Sequence, residues 1–321
     1  MLYEPLDAVF QDVGDAEIVP PEWVIENMIP VGLTFYVGPP KSFKSAALFS
    51  LCLETVGVPT GVLPADLRVV RKKGLVLGLS AEASAGVLRH DAREGFGVEI
   101  PSDGRLRVCN DPWRFRLDSK TDQKELLAWC DEVKPSILFI DPLRNLHNVE
   151  ENDAGAMVAV LQPFQHYAVK NKMAVVCIHH VTKLEEGSTA KASNMRGTSA
   201  LLGLADGALA FTRKGGTDST TVHIDALFKR APAWERTIDL GIWGNRAQEK
   251  VDQTCKDTLR YLKEGVAQGE IAKKLGVGKS KVLAAVQQLR RLGVLNDAGQ
   301  IVAELPASAT ERVNVANERV G

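Results

Sequence analysis

Runs of consecutive apolar residues alternate with longer stretches of mixed polarity over the first two thirds of the chain. The apolar runs have the length and continuity of strands buried on both faces, and they lie at 33–37, 74–79, 136–140 and 173–178. The stretches between them predict helices at 44–56, 84–95, 121–133 and 153–171. Strands and helices that alternate in this way predict an α/β fold with a mostly parallel central sheet.

The pattern changes after residue 205. Closely spaced apolar segments predict antiparallel strands that complete the sheet, at 207–212, 220–228 and 235–240. A polar linker is predicted at 244–250, and helical patterns resume at 254–263, 268–275 and 279–292. A turn-forming stretch at 296–300 then separates two short apolar pairs. Three helices and a hairpin predict a small winged helix-turn-helix domain over residues 252–305, followed by a disordered tail at 306–321.

Composition narrows the function classes. The chain has 321 residues, of which 45% are hydrophobic and 25% charged, and these values are typical of a soluble globular protein. Five scattered cysteines without a C-x-x-C pair argue against a zinc site or a disulfide framework. No signal pattern and no apolar run of about 18 residues occurs, so we predict a cytoplasmic protein without a membrane partner.

Charge is unevenly distributed, although the formal net charge is only −1. Residues 1–30 contain seven acidic residues and no Lys or Arg, which predicts an acidic N-terminal arm ahead of a main domain at 31–245. Residues 256–293 contain nine Lys or Arg against three acidic residues. This basic segment is where a nucleic-acid partner is expected.

A phosphate-binding loop is indicated directly after the first predicted strand. It follows the pattern G-x-x-x-x-G-K-[ST] except at the second glycine, and its residues are Gly38, Pro39, Pro40, Lys41, Ser42, Phe43, Lys44 and Ser45. The N–H groups of such a loop attract phosphate, with Lys44 at the β- and γ-phosphates and Ser45 at Mg²⁺. If Phe43 has a positive φ, its side chain costs about 1–2 kcal/mol. The alternative is an ordinary strand-turn-helix with chance lysines.

Further candidates follow other predicted strands, at the carboxyl ends where open parallel sheets bind ligands. Asp141 follows the third apolar run and suits Mg²⁺, with helix capping as the alternative. Glu82 follows the second run and suits a base for an attacking water, with a residue favoured by the helix dipole as the alternative. His179 and His180 end the fourth run. Two adjacent histidines do not complete a closed metal site, so we favour γ-phosphate sensing, by His180 rather than His179.

Five segments carry a family resemblance, and they lie at 38–45, 79–84, 137–141, 179–183 and 196–206. Their order resembles that of the RecA-like P-loop ATPases of the RepA/DnaB hexameric helicase group, and most closely the single-domain RepA-like members. The similarity covers about residues 20–240. It implies ATP and Mg²⁺ as cofactors, bound through Lys44 and Ser45. It further implies Glu82 as the general base, Asp141 as the Walker B acid and His180 as the sensor, whereas Phe43 departs from the family pattern.

The resemblance also implies a homo-oligomer, a hexameric ring that threads single-stranded DNA. In the family, the loop after the fourth strand lines the central channel, and here that loop is 184–198, with a plain mobile surface loop as the alternative. The loop contains Lys191 and Arg196, and Lys183 directly precedes it. A basic pair after the strand at 220–228 reaches the neighbouring subunit's nucleotide in the family. That implies Lys229 and Arg230 as catalytic fingers, with a solvated strand end as the alternative.

The last predicted helix opens with Lys279, Ser280 and Lys281, at the part of such a motif that meets DNA. Docking of a protein partner is the alternative. We therefore predict an ATP-hydrolysing, DNA-binding motor, a RepA-like ring helicase or translocase in DNA replication. One rival is a DNA-binding ATPase that does not unwind, such as a loader, a recombinase-like protein or a replication regulator. Another is a nucleotide-dependent switch that mainly binds proteins.

Overall fold

The computed structural model describes residues 13, 16–181, 188–194, 199–215, 219–241, 253–291, 294–296 and 299–301. Its strands are β1 (Trp23–Ile25), β2 (Ile29–Pro30), β3 (Gly32–Gly38), β4 (Val76–Ser80), β5 (Leu106–Val108), β6 (Ile137–Asp141), β7 (Ala174–His180), β8 (Gly207–Arg213), β9 (Thr221–Phe228) and β10 (Trp234–Asp239). Its α-helices are α1 (Lys44–Thr55), α2 (Ala85–Phe96), α3 (Lys120–Val133), α4 (Ala154–Lys170), α5 (Ser199–Leu204), α6 (Gln253–Lys263), α7 (Gln268–Leu275) and α8 (Lys279–Arg291).

The main sheet has eight strands in the order β10-β9-β8-β3-β7-β6-β4-β5. From β8 to β5 every neighbouring pair is parallel, whereas β9 pairs antiparallel with both β8 and β10. β7 therefore lies between β3 and β6, although it follows both in the chain. The predicted α/β fold with a mostly parallel sheet, completed by antiparallel strands on one side, is confirmed.

Helices cover both faces of this sheet, because its central strands are apolar at consecutive positions. On one face, Leu51 of α1 packs in a core that includes Tyr36 of β3. On the other face, Leu126 of α3 and Phe164 of α4 pack in a second core with Phe35 of β3. Successive residues of β3 thus point into different cores, as the two-residue period of a strand requires.

The buried part of the chain starts before the predicted boundary at residue 31. β1 and β2 pair as an antiparallel ribbon whose fully buried residues join the core on the α1 face, and these are Val24, Ile25, Met28 and Ile29. The acidic residues of this stretch pair with cations of the main domain, Glu22 with Lys172 and Glu26 with Arg71. The predicted acidic arm is therefore corrected from Trp23 onward, where the chain belongs to the packed domain.

Besides β1 and β2, two short elements have no counterpart among the predicted ones. β5 has three residues and extends the sheet at its edge, and α5 has six residues and precedes β8. Segments of this length are too short to display a hydrophobic period. Among the described helices, none combines the length and the apolar character needed to cross a lipid bilayer.

α6, α7 and α8 lie at the positions predicted from the sequence and share a core of their own. That core includes Cys255, Leu259, Ile271, Val286 and Leu289. An antiparallel bridge pairs Leu295 with Ile301, in the stretch predicted as a hairpin. Assignment of these elements to a winged helix-turn-helix domain stays a prediction. The predicted linker at 244–250 and the tail at 306–321 lie outside the described residues.

Candidate functional site

Four parallel strands end side by side at one edge of the sheet. β3 leads into the loop 38–45, and its last residue pairs with His180 at the end of β7. Asp141 at the end of β6 pairs with the last residue of β4, and Glu82 follows β4 closely. The loop 38–45, Glu82, Asp141 and His180 together form what we call the carboxyl-edge site. Tertiary structure thus brings together residues that are far apart in the chain.

The loop 38–45 adopts backbone conformations that few side chains tolerate. At Gly38, with φ 153°, a Cβ atom would lie 2.4 Å from the carbonyl oxygen of Phe211 on β8. Lys41, with φ 61°, and Phe43, with φ 67°, are both in the left-handed region. Phe43 precedes α1, and its side chain does not cap the helix. The N–H groups of the first turn of α1 are therefore left to bind an anion.

Lys44, the first residue of α1, folds back over this loop. Its Nζ donates hydrogen bonds to the carbonyl oxygens of Gly38 at 3.0 Å and Pro39 at 2.8 Å. The residue is only 5% exposed, and burial lowers the pKa of Lys44 to about 8, opposed by the charges of Asp141 and Glu82. An anionic phosphate beside the ammonium would favour its charged form, so the site is suited to bind one.

Asp141 carries an orphaned buried oxygen. Its Oδ1 has no hydrogen-bond partner among the described residues. Burial raises the pKa of Asp141 to about 6; a hydrogen bond with Ser45 and the charge of Lys44 oppose this rise, and the charge of Glu82 adds to it. A carboxylate and a hydroxyl at this spot are the oxygen ligands that Mg²⁺ prefers. Asp141 and Ser45 therefore fit the predicted metal.

Glu82 is exposed at the mouth of the carboxyl-edge site. Its charge acts on both Lys44 and Asp141, so its carboxylate lies near the place where the phosphates would bind. Because the side chain is exposed, solvent water can reach its carboxylate. The geometry is compatible with the role of general base.

The two histidines at the end of β7 point in opposite directions. His179 is fully buried in the core on the α4 face, and its Nδ1 lies 3.7 Å from Oε1 of Glu151. Side chains alternate along a strand, so His180 projects to the α1 face, on which Ile178 also packs. Since α1 begins at the phosphate-binding loop, His180 and not His179 lies on the same side of the sheet as that loop.

Arg213 is a residue of this region that sequence patterns did not identify. It ends β8, and its Cζ lies 4.9 Å from the centroid of the Phe43 ring, while its Nε donates to the carbonyl oxygen of Ser219 at 2.8 Å. A cation over an aromatic face contributes about 0.5–1 kcal/mol at an exposed site. Phe43 was the hint in the sequence, because an aromatic side chain in a phosphate-binding loop indicates that another residue packs on its ring. The sequence did not indicate that this residue is Arg213.

Lys229 and Arg230 lie at the opposite edge of the sheet from the phosphate-binding loop. β9 is antiparallel to β8, and its last residue, Phe228, pairs with Gly207 at the start of β8. That start lies beside Thr34, near the beginning of β3. Both cations are exposed there. The structure therefore does not bring them to the carboxyl-edge site of their own chain.

The described part of the predicted DNA-binding loop is anchored to the sheet. The N–H groups of Ala190 and Ala192, both buried, donate to Thr212 Oγ1 at 2.7 Å and Asp225 Oδ1 at 2.8 Å. Lys191 lies between these anchors with its side chain exposed. The cation is therefore presented from a segment held against β8 and β9.

The other predicted DNA contacts fall in different places. Lys183 and Arg196 lie outside the described residues. The residues exposed at the start of α8 are Lys279, Ser280 and Lys281. Because α8 turns its apolar side to the core that it shares with α6 and α7, these polar side chains are left on the surface.

A protein-family model described as an AAA domain matches residues 2–186. The match covers more than half of the chain and includes the loop 38–45, Glu82, Asp141 and His180. It ends before β8, so the antiparallel strands and the C-terminal helices lie beyond it. The parallel sheet and the phosphate-binding loop also fit a RecA-like fold. The chain therefore belongs to the AAA domain family of P-loop ATPases, which hydrolyse nucleotides.

Proposed function

We propose that this ATPase is a DNA motor, a RepA-like ring helicase or translocase that acts in DNA replication. The observation that carries the proposal is the position of Lys229 and Arg230 at the edge of the sheet opposite the phosphate-binding loop. Cations there are too far to serve the nucleotide of their own chain but are available to that of a neighbouring subunit. A closed assembly of identical subunits, here a hexamer, supplies such a neighbour.

Five residues of the carboxyl-edge site have a role in this proposal. Lys44 binds the β- and γ-phosphates of ATP, and Ser45 and Asp141 hold Mg²⁺, which when bound neutralises charge on the phosphates. Glu82 orients the attacking water and accepts its proton. His180, on the same side of the sheet as the loop, senses the γ-phosphate. Lys229 and Arg230 from the adjacent subunit stabilise the charge that develops on the transferred phosphoryl group.

DNA is the proposed partner at two surfaces. The first is the loop with Lys183, Lys191 and Arg196, which would contact the phosphates of a single strand in the ring channel. The second is the start of α8, with Lys279, Ser280 and Lys281, which suits duplex DNA. The anchoring of the backbone on both sides of Lys191 supports the first surface, because a segment that is already held loses little backbone entropy on binding.

ATP hydrolysis measured with and without single-stranded DNA tests the motor. We expect DNA to stimulate hydrolysis, and Lys44→Ala to abolish both basal and stimulated rates. Lys124→Ala is the matched control, because Lys124 is exposed on α3 away from the site. Hydrolysis that does not respond to DNA would count against a DNA motor and favour a nucleotide-dependent switch.

Co-assembled subunits test the trans fingers. Arg230→Ala alone should lower kcat by about 10³-fold, the usual effect of losing such a cation. Mixed with Lys44→Ala, which has an intact finger and a dead site, it should recover part of the activity. An Arg230→Ala subunit then hydrolyses ATP with the finger of its neighbour. A mixture as inactive as its parts would show that the finger acts in cis or not at all.

A DNA-binding ATPase that does not unwind is the second candidate. The observation that favours it is the helical core of α6, α7 and α8, which carries exposed cations of its own and lies beyond the matched AAA domain. Such a unit can deliver an ATPase to duplex DNA without strand separation. Unwinding of a forked duplex distinguishes the two, since only the helicase should release the displaced strand in an ATP-dependent way.

A further inference from the structure

Asp206 clasps the strand that leads to the phosphate-binding loop. It lies just before β8, and its backbone N–H donates to the carbonyl oxygen of Leu33 at 2.7 Å. Its carboxylate Oδ2 accepts from the N–H of the same Leu33 at 2.9 Å. A single residue thus satisfies both backbone groups of Leu33 near the start of β3. The side chain thus accepts from a backbone N–H that lies just before the first paired residues of β3 and β8.

Two further residues, Gln165 and Gly32, lie against the carboxylate of Asp206. Oδ2 of Asp206 also accepts from Nε2 of Gln165 on α4 at 3.1 Å. Gly32 faces the carboxylate with φ 111°, and a Cβ atom on it would lie 2.0 Å from Oδ2. Glycine is therefore required at this position by both its backbone conformation and the space that Asp206 occupies.

The same residue holds the first of the proposed fingers. The carbonyl oxygen of Asp206 accepts from the N–H of Lys229 at 3.1 Å. β8 and β9 pair Gly207 with Phe228 just inside this bond, so Lys229 is the first residue beyond the ladder. Asp206 therefore connects β3, α4 and the base of the finger at one edge of the sheet.

We propose that Asp206 is a positioning residue for Lys229 and Arg230, one that aligns the cations a subunit presents to its neighbour's nucleotide. The inference rests on the proposed function in trans. Asp206 contacts the start of β3, whereas the phosphate-binding loop follows the other end of that strand, so we expect its loss to act on Lys229 more than on its own nucleotide site. A small displacement of a catalytic cation lowers kcat by about 10²-fold. Asp206→Ala keeps the carbonyl oxygen that accepts from Lys229 but releases the residue from Leu33 and Gln165, so we expect the finger to shift with that effect on kcat. Nucleotide binding to its own subunit should stay near the unaltered value.

ATPase assays of mixed subunits show which function Asp206→Ala has lost. A loss of stability alone would not give the pattern of recovery expected for a finger defect. Mixed with Lys44→Ala subunits, whose fingers are intact, Asp206→Ala should recover activity. Mixed with Arg230→Ala subunits it should recover none, because neither kind of subunit presents a competent finger. Recovery with Arg230→Ala instead would place the defect in the subunit's own site. Recovery with neither partner, while Lys44→Ala and Arg230→Ala complement each other, would show a purely structural role. Either result overturns the inference.

Failure of the inference and failure of the proposed function are distinguishable, because the mixture of Lys44→Ala with Arg230→Ala tests the trans finger without Asp206. If Asp206→Ala does not yield folded protein, Asp206→Asn is used in the same pairings, since it keeps the size of the side chain and removes its charge. Gln165→Ala removes one partner of Asp206 and leaves Asp206 in place. Like Asp206→Ala, it should recover activity with Lys44→Ala and not with Arg230→Ala, and it should lower kcat less. If Gln165→Ala instead recovered activity with Arg230→Ala and not with Lys44→Ala, that result would also contradict the inference.

Discussion

At Phe43 a bulky side chain occupies a backbone conformation that glycine usually supplies, with φ 67° and ψ 16°. The ring packs at the margin of the core on the α1 face and under Arg213. Phe43→Ala loses this packing and keeps the left-handed strain, whereas Phe43→Gly loses the packing and removes about 1–2 kcal/mol of strain. We therefore expect Phe43→Gly to have the higher free energy of unfolding of the two in urea titrations.

Phe49, on α1 and buried in the same core, provides the control for this comparison. There the helix interior favours alanine over glycine by about 1 kcal/mol. Phe49→Ala should therefore be more stable than Phe49→Gly, the reverse of the order at Phe43. Alanine that is equal or superior to glycine at both positions would mean that Phe43 is not strained.

The carboxyl of Asp141 makes stability depend on pH. Burial raises its pKa in the folded protein to about 6, above the ordinary value of 3.8, so the folded state binds more protons between these values. Its contribution is fully present below pH about 4 and is lost as the pH rises through about 6. Asp141→Asn removes this dependence. The variant should exceed the parent by about 1–3 kcal/mol at pH 7, without nucleotide, and the difference should shrink toward pH 4.

Urea titrations of both proteins from pH 4 to pH 8 measure this difference. Asp111→Asn serves as the control because Asp111 is exposed. It should leave the pH dependence as it is in the parent. A gap between Asp141→Asn and the parent that stays constant with pH would contradict a raised pKa at Asp141.

Because the pKa of Lys44 is lowered, we expect the protein to take up protons when it binds a nucleotide. Burial lowers its pKa to about 8, so at pH 8.5 most Lys44 side chains in the free protein are neutral. Phosphate groups beside Nζ favour the ammonium form and raise the pKa, so binding should draw protons from the buffer. Calorimetry of nucleotide binding at pH 8.5, in two buffers with different ionisation enthalpies, measures the number taken up. Lys44→Arg, whose charge is permanent, should take up none; equal heats in both buffers for the parent would refute the prediction.

At the scale of elements, the end of α1 is tied to the segment after it by one carboxylate. Oε1 of Glu54 accepts from the N–H of Thr60 at 2.8 Å, from its hydroxyl at 3.1 Å and from Nη1 of Arg68 at 3.0 Å. Glu54 is 9% exposed, so the pair is largely removed from water. Glu54→Gln keeps an acceptor oxygen but removes the charge, and we expect a loss of about 1–3 kcal/mol in the free energy of unfolding.

A double-mutant cycle with Arg68→Gln isolates the pair at the end of α1. Coupling of about 1 kcal/mol or more between the two substitutions is expected, because they remove the same interaction. Additive effects of Glu54→Gln and Arg68→Gln would show that the backbone hydrogen bonds of Glu54, rather than its charge, hold this end of the helix.

At the scale of the whole molecule, the cations of α8 should act on DNA affinity and leave the ATPase chemistry intact. Lys279→Ala combined with Lys281→Ala should weaken duplex binding similarly across sequences. The dependence of log K on log salt should become shallower by about one for each lysine that no longer neutralises a DNA phosphate. Hydrolysis without DNA should be unchanged, and Lys120→Ala combined with Lys124→Ala, on α3, is the control. An unchanged salt slope would favour a protein-docking role for this surface.

The order of elements was predictable because its signals are local. Continuous apolar runs indicated β3, β4, β6 and β7, and the helices between them differ from prediction by a residue or so at their ends. β1 and β2 were missed because Glu22 and Glu26 made an acidic stretch of residues that fold into the core. The loop 38–45 was predicted for the same local reason, since a strand, a short motif and a helix follow one another in the chain.

By itself the sequence determined the kind of protein, an α/β ATPase with its phosphate-binding loop after the first long strand. It also marked the residues Glu82, Asp141 and His180, because each follows an apolar strand. Only tertiary structure decided which strands are neighbours, and hence that Arg213 meets Phe43 and that Asp206 clasps Leu33. It also decided that Arg230 lies away from the loop of its own chain. Periodicity reports whether a strand is buried, whereas its neighbours depend on how connections cross the sheet and how side chains from distant segments pack.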